Sequence, residues 1–316
     1  MATGRPPVGR EKEISPPHPA RPLRVAIVTK RSAWHVYVTE RHDERLTELL
    51  AVGDVTVAPL KASHEAHVRT VREVKEALAA VGADLVIERL AGEPFDASGL
   101  DLVMTVGGDG TLLAASHYVD DVPVLGINSA PSHSVGFFCG AKSGHALEAL
   151  RGAMRGSLRR TVLTRMAVSI NGAVAAARVL NDALLCHASP AATSRYMVRL
   201  GDVDEQQKSS GFWIGPAAGS TAAQRSAGGR VLPLTSKQLQ LVVREPYTPH
   251  GEAYRLQRAL IPPGKRLTVR SKMHDARIFF DGPDTQAEVG YGDVIEFTQA
   301  EQSLTVLGIS SRRKWG

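Results

Sequence analysis

A glycine-rich turn at residues 107–111 carries the clearest chemical signal in this sequence. Residues 102–113 read LVMTVGGDGTLL, so an apolar run leads directly into Gly-Gly-Asp-Gly-Thr and then into a second apolar stretch. Glycines adopt backbone conformations that are closed to other residues and let the main chain approach a ligand closely. Main-chain N–H groups in such a turn, followed by the start of a helix, form a cradle for phosphate. The pattern therefore predicts that a phosphorylated ligand binds here.

Asp109 is an acidic residue in the middle of this predicted phosphate cradle. A carboxylate repels phosphate, so an anion site alone gives no reason for its presence. Its presence is explained if it accepts a proton from a hydroxyl that attacks phosphorus, or if it helps to hold magnesium. The alternative is a tight turn whose backbone geometry Asp simply tolerates, as in many Asp-Gly turns.

The turn lies among elements that alternate along the first half of the chain. Apolar runs typical of buried strands occur at 23–29, 84–90, 100–106 and 122–127. Helical patterns separate them, with apolar residues at three- and four-residue steps in the stretch 67–81. This alternation predicts a parallel sheet wound with helices, and ligands bind such sheets at the carboxyl ends of the strands.

The pattern changes in the second half, where β-like runs are closely spaced and joined by Gly and Asp. One helix is predicted among them, near 220–227. We therefore expect an α/β N-terminal nucleotide domain with a parallel sheet, followed by a mostly β C-terminal domain. The expected divisions are a flexible tail at 1–22, the α/β domain at 23–158, the β-rich domain at 159–309 and a tail at 310–316.

Composition excludes several classes of protein. The 38 Lys and Arg against 32 Asp and Glu give a net charge of +6, which attracts anions. The basic residues are spread along the chain and aromatics make up only 5%, so nucleic acid is not expected as a partner. Two distant cysteines give no disulfide framework or zinc knuckle and fit a reducing cytoplasm. No run approaches the roughly 18 apolar residues of a membrane span, and residues 1–22 lack the apolar core of a secretory signal, so we expect a cytoplasmic protein without a membrane partner.

Two further features have simple structural interpretations. His64 and His67 lie three residues apart on a predicted helix, but no HExxH or Cys/His set accompanies them. A packing or surface role is therefore favoured over metal binding. The Asp281-Gly282 pair after an apolar run indicates a hairpin turn.

Three blocks together resemble the NAD kinase family. The first is GGDGTLLAAS, followed by VPVLGIN ending at Asn128 and by VGFF at 135–138; the second is Leu-Asn-Asp at 180–182; the third is Gly-Ser-Thr-Ala at 219–222. The resemblance covers roughly residues 23–309. Stretches at 64–71, 133–139 and 207–211 are similar to the mitochondrial-type branch. Diacylglycerol and sphingosine kinases share GGDGT but lack the GIN and GF continuation.

The resemblance implies transfer of the γ-phosphate of ATP to the 2′-hydroxyl of the adenosine ribose of NAD. ATP and NAD would be the substrates, Mg²⁺ would accompany ATP, no prosthetic group is expected, and the chain would form a homo-oligomer (dimer or tetramer). Asp109 would be the general base. The residues implied to bind phosphates and nucleotide are Gly107, Gly108, Gly110, Thr111 and Asn128. The residues implied to bind NAD are Asn181, Asp182, Gly219, Ser220 and Thr221, and a weaker group comprises Lys208, Ser209 and Ser210.

Simple alternatives exist for several of these residues. Asn181 fits a turn at a strand end, Ser220 and Thr221 fit a helix N-cap, and Lys208 fits a solvated strand end.

The sequence also departs from the family pattern. Asp182 stands where the family has Glu, Ala218 where it has Thr, and Ala223 where it has Tyr. These changes predict a reshaped nucleotide pocket. Two alternatives stay open: a lipid kinase, which would share the nucleotide domain, and a non-catalytic NADP-binding regulator, which these departures would suit. The resemblance also leaves open ATP or polyphosphate as donor and NAD or NADH as acceptor.

Overall fold

The computed structural model describes residues 21–248 and 253–310. Residues 1–20 and 311–316, which make up most of the two predicted tails, lie outside the described residues. The helices are α1 (Glu44–Ala51), α2 (Ala58–Ala80), α3 (Asp109–Ser116), α4 (Ala146–Met154) and α5 (Ala223–Ser226). A π-helical turn spans His35–Glu40 and a 3₁₀ turn spans Ala217–Thr221.

The strands form three sheets. Up to residue 187 they are β1 (Arg24–Thr29), β2 (Asp84–Leu90), β3 (Leu102–Gly107), β4 (Val124–Asn128), β5 (Cys139–Lys142), β6 (Arg160–Leu163), β7 (Met166–Ile170), β8 (Ala173–Val179) and β9 (Ala183–His187). Those that follow are β10 (Ser194–Leu200), β11 (Val203–Ser209), β12 (Phe212–Pro216), β13 (Leu239–Val243), β14 (Arg258–Ile261), β15 (Leu267–Ser271), β16 (Ala276–Phe280), β17 (Thr285–Val289), β18 (Val294–Gln299) and β19 (Leu304–Leu307).

The first sheet has the strand order β2-β1-β3-β4-β19-β6, with β5 also paired to β4. Its pairs are parallel except for β6 with β19. From β1 the chain moves to β2 on one side, whereas β3 and β4 continue on the other side. The strand order therefore reverses between β1 and β3, and the crevice at such a reversal is where open α/β sheets bind ligands.

Helices cover this sheet on both faces, which explains its nearly continuous apolar strands. In β1, Val25 and Ile27 point to the core formed with α2 and α4. Ala26 and Val28 point to the opposite core, which contains α3 and also Leu180 and Leu234 from the second half of the chain. The face that carries α3 thus packs against the β-rich part.

The other two sheets form an antiparallel sandwich. Their orders are β11-β10-β15-β18-β7-β8 and β14-β13-β12-β9-β16-β17. Alternate residues of both sheets point inward to one core; Tyr196, Phe212 and Phe297 are fully buried there and pack edge to face. The prediction of an α/β domain followed by a mostly β domain is confirmed.

Two strands of the second half belong to the first sheet rather than to the sandwich. The apolar run 162–170 is divided into β6, which joins the first sheet, and β7, which joins the sandwich. Strand β19 returns to lie between β4 and β6. The domain boundary near residue 158 stays a prediction. Among the described residues, no helix is both long and apolar enough to cross a membrane.

Candidate active site

A cavity of about 1330 Å³ opens at the carboxyl edge of the first sheet, where the strand order reverses. The segments that line it include the chain after β1, the loop after β2, the β3–α3 turn and the loop after β4, all from the α/β half. The β16–β17 hairpin and part of β8 line it from the sandwich. The site therefore lies between the two halves, and the fold brings the glycine-rich turn to the position that the sequence predicted.

The glycine-rich turn needs its glycines for different reasons. A side chain at Gly107 would overlap Thr111 and press on Lys30, and one at Gly108 would overlap the hydroxyl of Ser134. A methyl group at Gly110 would meet nothing within 4 Å, although Gly110 lines the cavity. The first two glycines therefore permit close packing of the surrounding protein, whereas Gly110 leaves space for a ligand.

Asp109 lines the cavity at the first residue of α3. Its Oδ2 accepts a hydrogen bond from the Phe137 N–H at 2.9 Å and its Oδ1 accepts one from the Phe138 N–H at 2.7 Å. Two rigid main-chain donors thus fix the orientation of the carboxylate. A carboxylate has about four acceptor positions, so each oxygen keeps the capacity to accept a proton or a further hydrogen bond. Its role as a general base stays a prediction.

Asn128, the last residue of β4, shapes the loop that faces Asp109. Its side-chain amide donates to the Ser134 carbonyl at 2.9 Å and accepts from the Ala130 N–H at 3.2 Å. Asn128 is buried and also lines the cavity. Both hydrogen bonds stabilise the loop, so Asn128 has a structural role in addition to its predicted contact with a nucleotide.

The second predicted group, Asn181 and Asp182, lies in the connection between β8 and β9. Its backbone is held by Asp281, which receives three consecutive N–H groups, from Leu180 at 2.9 Å, Asn181 at 2.6 Å and Asp182 at 3.1 Å. The sequence predicts only a hairpin turn at Asp281, which lines the cavity.

Asp281 also links the β8–β9 connection to the helix that follows the glycine-rich turn. Its Oδ2 lies 3.0 Å from Nε2 of His117, the residue that ends α3. Since Asp109 begins the same helix, Asp281 joins the predicted NAD-binding pair to the element that carries the predicted base. No local sequence signal reveals this, because positions 180 and 281 are brought together only by the pairing of β9 with β16.

Burial raises the pKa of the Asp182 carboxyl to about 7, and the negative charge of Asp281 adds to this effect. The carboxyl accepts a hydrogen bond from the Asn181 amide at 3.0 Å. Perturbed carboxyls of this kind are frequent near functional sites, and they also occur in structural networks.

The third predicted group packs against the second. A side chain at Gly219 would overlap the carbonyl of Asn181, so the two segments touch through their backbones. The Ser220 hydroxyl donates to the Ala217 carbonyl at 2.8 Å and accepts from the Leu232 N–H at 2.9 Å. Thr221 ends the same 3₁₀ turn. The structure thus joins Asn181 to Gly219, but it gives Ser220 internal hydrogen bonds rather than a position on the cavity.

Lys208, Ser209 and Ser210 lie at the end of β11, the outermost strand of one sandwich sheet. The buried Ser209 hydroxyl bonds to the Tyr196 hydroxyl at 2.9 Å. None of the three lines the cavity. The cavity formed by a single chain therefore does not include these three residues, and their contact with a nucleotide stays a prediction.

The chain after β1 was not singled out by sequence. Lys30, Arg31 and Arg41 line the cavity, together with Tyr37 from the π-helical turn. The sequence feature that could have indicated this segment is the adjacent Lys-Arg pair at the end of the first apolar run. His67 lies behind this segment and is buried, with Nδ1 3.1 Å from the Ser129 hydroxyl.

Comparison with known proteins points to one family. The sequence profile described as "ATP-NAD kinase N-terminal domain" matches residues 23–157. A protein of Arabidopsis thaliana named NADH kinase is 36% identical over 256 residues, covering 68% of this chain and 75% of the relative. A protein of Oryza sativa subsp. japonica named "Probable NADH kinase" is 34% identical over 230 residues, covering 66% of this chain and 71% of the relative.

Two solved structures share the fold. An NAD kinase from Archaeoglobus fulgidus in complex with ATP superposes with a TM-score of 0.61 at 20% identity, covering 90% of this chain and 93% of the other. The yeast NADH kinase complexed with NADH superposes with a TM-score of 0.63 at 15% identity, covering 93% and 85%. At these identities the likeness concerns the fold.

Proposed function

The chain belongs to the NAD kinase family, and we propose that it transfers the γ-phosphate of ATP to the 2′-hydroxyl of the adenosine ribose of NAD. The observation that carries this proposal is the Asp109 carboxylate, which two main-chain N–H groups orient at the glycine-rich turn of a large cavity. A turn that only bound phosphate would gain nothing from this negative charge.

Asp109 would accept the proton of the attacking hydroxyl. The new bond joins the ribose 2′-oxygen to the γ-phosphorus, and the bond between that phosphorus and the bridging oxygen of ADP breaks. Because the carboxylate is already held by Phe137 and Phe138, little reorganisation is needed when the hydroxyl arrives. A positioned base of this kind contributes about 10²–10⁴-fold to the rate.

The predicted binding residues would serve this reaction in three groups. Gly107, Gly108, Gly110 and Thr111 would receive phosphates through the turn and the start of α3. Asn181 and Asp182 would hold the ribose region of NAD, at a connection that Asp281 fixes beside α3. Gly219, Ser220 and Thr221 would support that connection from behind.

Magnesium would enter with the donor. Among residues 21–248 and 253–310, no three His, Cys, Asp or Glu side chains are grouped so that they could hold a metal ion. Mg²⁺ at nucleotide sites is usually held by one or two carboxylates together with substrate phosphates and water. Asp109 and Asp284 supply carboxylates to the cavity lining, and either could hold such an ion together with the phosphates of the donor. When bound, magnesium neutralises charge on the phosphates.

The acceptor should be tested in both oxidation states, because the plant relatives are named as NADH kinases. The proposal also keeps the homo-oligomer and the cytoplasmic location that the sequence analysis expected. Mass measurement in solution would test the first, and cell fractionation would test the second.

The first experiment is an assay of NADP and NADPH formation by the parent and by Asp109→Asn, with ATP or polyphosphate as donor. We expect the parent to be active and the variant to lose about two to four decades of kcat. Asp202→Asn is the matched control, because Asp202 is exposed in the turn between β10 and β11. An inactive parent would contradict the proposed reaction and would direct attention to lipid acceptors. An active Asp109→Asn variant would keep the reaction but remove this base.

A further inference from the structure

Two cations that line the cavity, Lys30 and Arg41, form no ion pair within 4 Å among the described residues, although the charge of Arg41 does act on the adjacent Glu40. Lys30 directly follows β1, and its N–H donates to the Val106 carbonyl at 2.8 Å, which places it beside Gly107. A side chain at Gly107 would come within 3.0 Å of Lys30 Cβ. Arg41 follows the π-helical turn, and its guanidinium lies 5.3 Å from the centre of the Tyr37 ring. Both side chains line the same cavity as the glycine-rich turn.

Two of the acidic side chains that line the cavity, Glu40 and Asp281, already have partners. Glu40 forms an ion pair with Arg31 and lies 3.1 Å from His35 Nε2. Asp281 is held by His117 and three main-chain N–H groups. The other acids of the lining, Asp109, Glu93 and Asp284, lie at the glycine-rich turn, after β2 and in the β16–β17 hairpin. With Lys30, Arg31 and Arg41 against Glu40, the segment 30–41 carries more positive than negative charge.

The charge of Lys30 also acts on the two histidines of α2 that lie near it. Burial lowers the pKa of His67 to about 4, and the charge of Lys30 is the next contribution to that shift. The pKa of His64 is lowered by burial, with further contributions from His35 and Lys30. Unpaired cations in a cleft attract multiply charged anions, because field lines concentrate between low-dielectric walls.

The cavity is large enough for more than one ligand. Its volume of about 1330 Å³ exceeds the roughly 300–1,000 Å³ of a usual small-molecule site. Phosphoryl transfer requires that donor and acceptor be bound together, with the transferred phosphorus between them. The proposed function places the acceptor ribose near Asp281, the lining residue that holds the backbone of Asn181 and Asp182. On that proposal the part of the cavity beside β1 is left for the donor.

We propose that Lys30 and Arg41 bind the phosphate chain of the phosphoryl donor, either a nucleoside triphosphate or an inorganic polyphosphate. The inference rests on the proposed kinase function and adds the residues that hold the donor. Lys30 lies beside the glycine-rich turn, so it binds the phosphates next to the transferred group. Arg41 lies at the far end of the π-helical turn and binds more distant phosphates.

The test uses Lys30→Met and Arg41→Gln, with Lys265→Met as the control because Lys265 is exposed on a sandwich loop. Each lost charge-assisted contact is expected to raise the KM for the donor about 10- to 100-fold, while the KM for NAD or NADH stays near the parent value. Lys30→Arg keeps the charge and should recover most of the affinity. An unchanged donor KM, or an equal rise in both KM values, would overturn the inference.

Binding of inorganic tripolyphosphate and of ATP, measured by calorimetry, tests this inference independently of the proposed kinase reaction. The same two measurements also distinguish a nucleoside triphosphate from an inorganic polyphosphate as the donor. Loss of tripolyphosphate binding in Lys30→Met supports the phosphate site even if the parent forms no NADP. Equal losses for both ligands indicate recognition of the phosphate chain alone, whereas binding of ATP but not tripolyphosphate by the parent indicates a nucleoside triphosphate. Unchanged binding of both ligands in both variants would overturn the inference.

Discussion

Asp281 shows how one carboxylate can organise a site without being its reactive group. Its side chain is almost fully buried, yet it accepts hydrogen bonds from three successive N–H groups and lies 3.0 Å from Nε2 of His117. These contacts fix the carboxylate between the β8–β9 connection and the end of α3. The neighbouring Asp182 is buried beside that anion, so its own ionisation is disfavoured. Asp182 therefore keeps its proton to a higher pH than an exposed aspartate does.

The raised pKa of Asp182 predicts a pH-dependent stability. An unfolded Asp titrates near 3.9, whereas the folded carboxyl titrates at about 7. Between these values the folded state binds more protons, so the stability contributed by Asp182 is present below about pH 4 and is lost as the pH rises towards 7. The shift corresponds to about 4 kcal/mol. We expect Asp182→Asn to gain stability relative to the parent over this interval, measured by urea unfolding at several pH values.

Other groups titrate in the same interval, notably His67 with its pKa lowered to about 4. Its contribution has the opposite sign, because the unfolded state then binds more protons. His67 is present in both proteins, so its effect cancels in the difference between parent and variant. A stability difference that does not change with pH would contradict the assignment to Asp182.

At the scale of elements, the β3–α3 turn combines two kinds of glycine. Gly107→Ala would force Cβ into Thr111 and Lys30, whereas Gly110→Ala would place a methyl group in open space on the cavity wall. We expect Gly107→Ala to lose about 1–3 kcal/mol of stability, as for overpacked sites. Gly110→Ala should keep its stability, since Ala favours a helix, but should lower kcat/KM because the methyl occupies ligand space.

Thermal unfolding and the NADP assay would measure the two effects on the same pair of proteins. A Gly110→Ala variant with parental kcat/KM would contradict the assignment of that space to a ligand. A stable Gly107→Ala variant would mean that Thr111 and Lys30 can move aside.

The sequence could predict this turn because its signal is local. A buried strand, three glycines and a helix follow one another within twelve residues, and each restricts the backbone directly. It could not predict the role of Asp281, because the hydrogen bonds from positions 180–182 span about one hundred residues. The sequence pattern also predicted no helix or strand over 30–57, where the structure has a π-helical turn and α1. The π-helical turn was hard to predict because π-helices are rare and short.

At the scale of the whole molecule, the two halves share structure rather than meeting at a simple linker. Arg165 lies between β6 and β7 and is fully buried. Its guanidinium donates to the Ser116 and Val119 carbonyls at the end of α3, and to the Gln302 and Ser303 carbonyls just before β19. One side chain thus ties the helix of the predicted active site to the strand that returns from the sandwich.

The sequence pattern placed residues 304–307, which form strand β19, in the β-rich domain. A four-residue apolar run carries no information about which sheet it joins, and its chain neighbours are sandwich strands. In the structure it lies between β4 and β6 and contributes buried Leu304 and Val306 to the core that contains α3. The α/β half is therefore completed by residues near the far end of the chain.

This arrangement predicts that the α/β half depends on the last strand. A chain ending at residue 302 would lack Leu304, Val306, Leu307 and Ile309, which are all buried. Each such side chain contributes about 1.5–3 kcal/mol, so their joint loss approaches the 5–15 kcal/mol that stabilises a whole protein. We expect this chain to be unfolded or aggregated and to bind no ATP.

A chain ending at residue 310 keeps β19 and the hydrogen bond from Thr161 to the Ile309 carbonyl, so it should fold and retain activity. Circular dichroism and size-exclusion chromatography would compare the two, and a folded, ATP-binding chain ending at 302 would show that the first sheet is stable without β19.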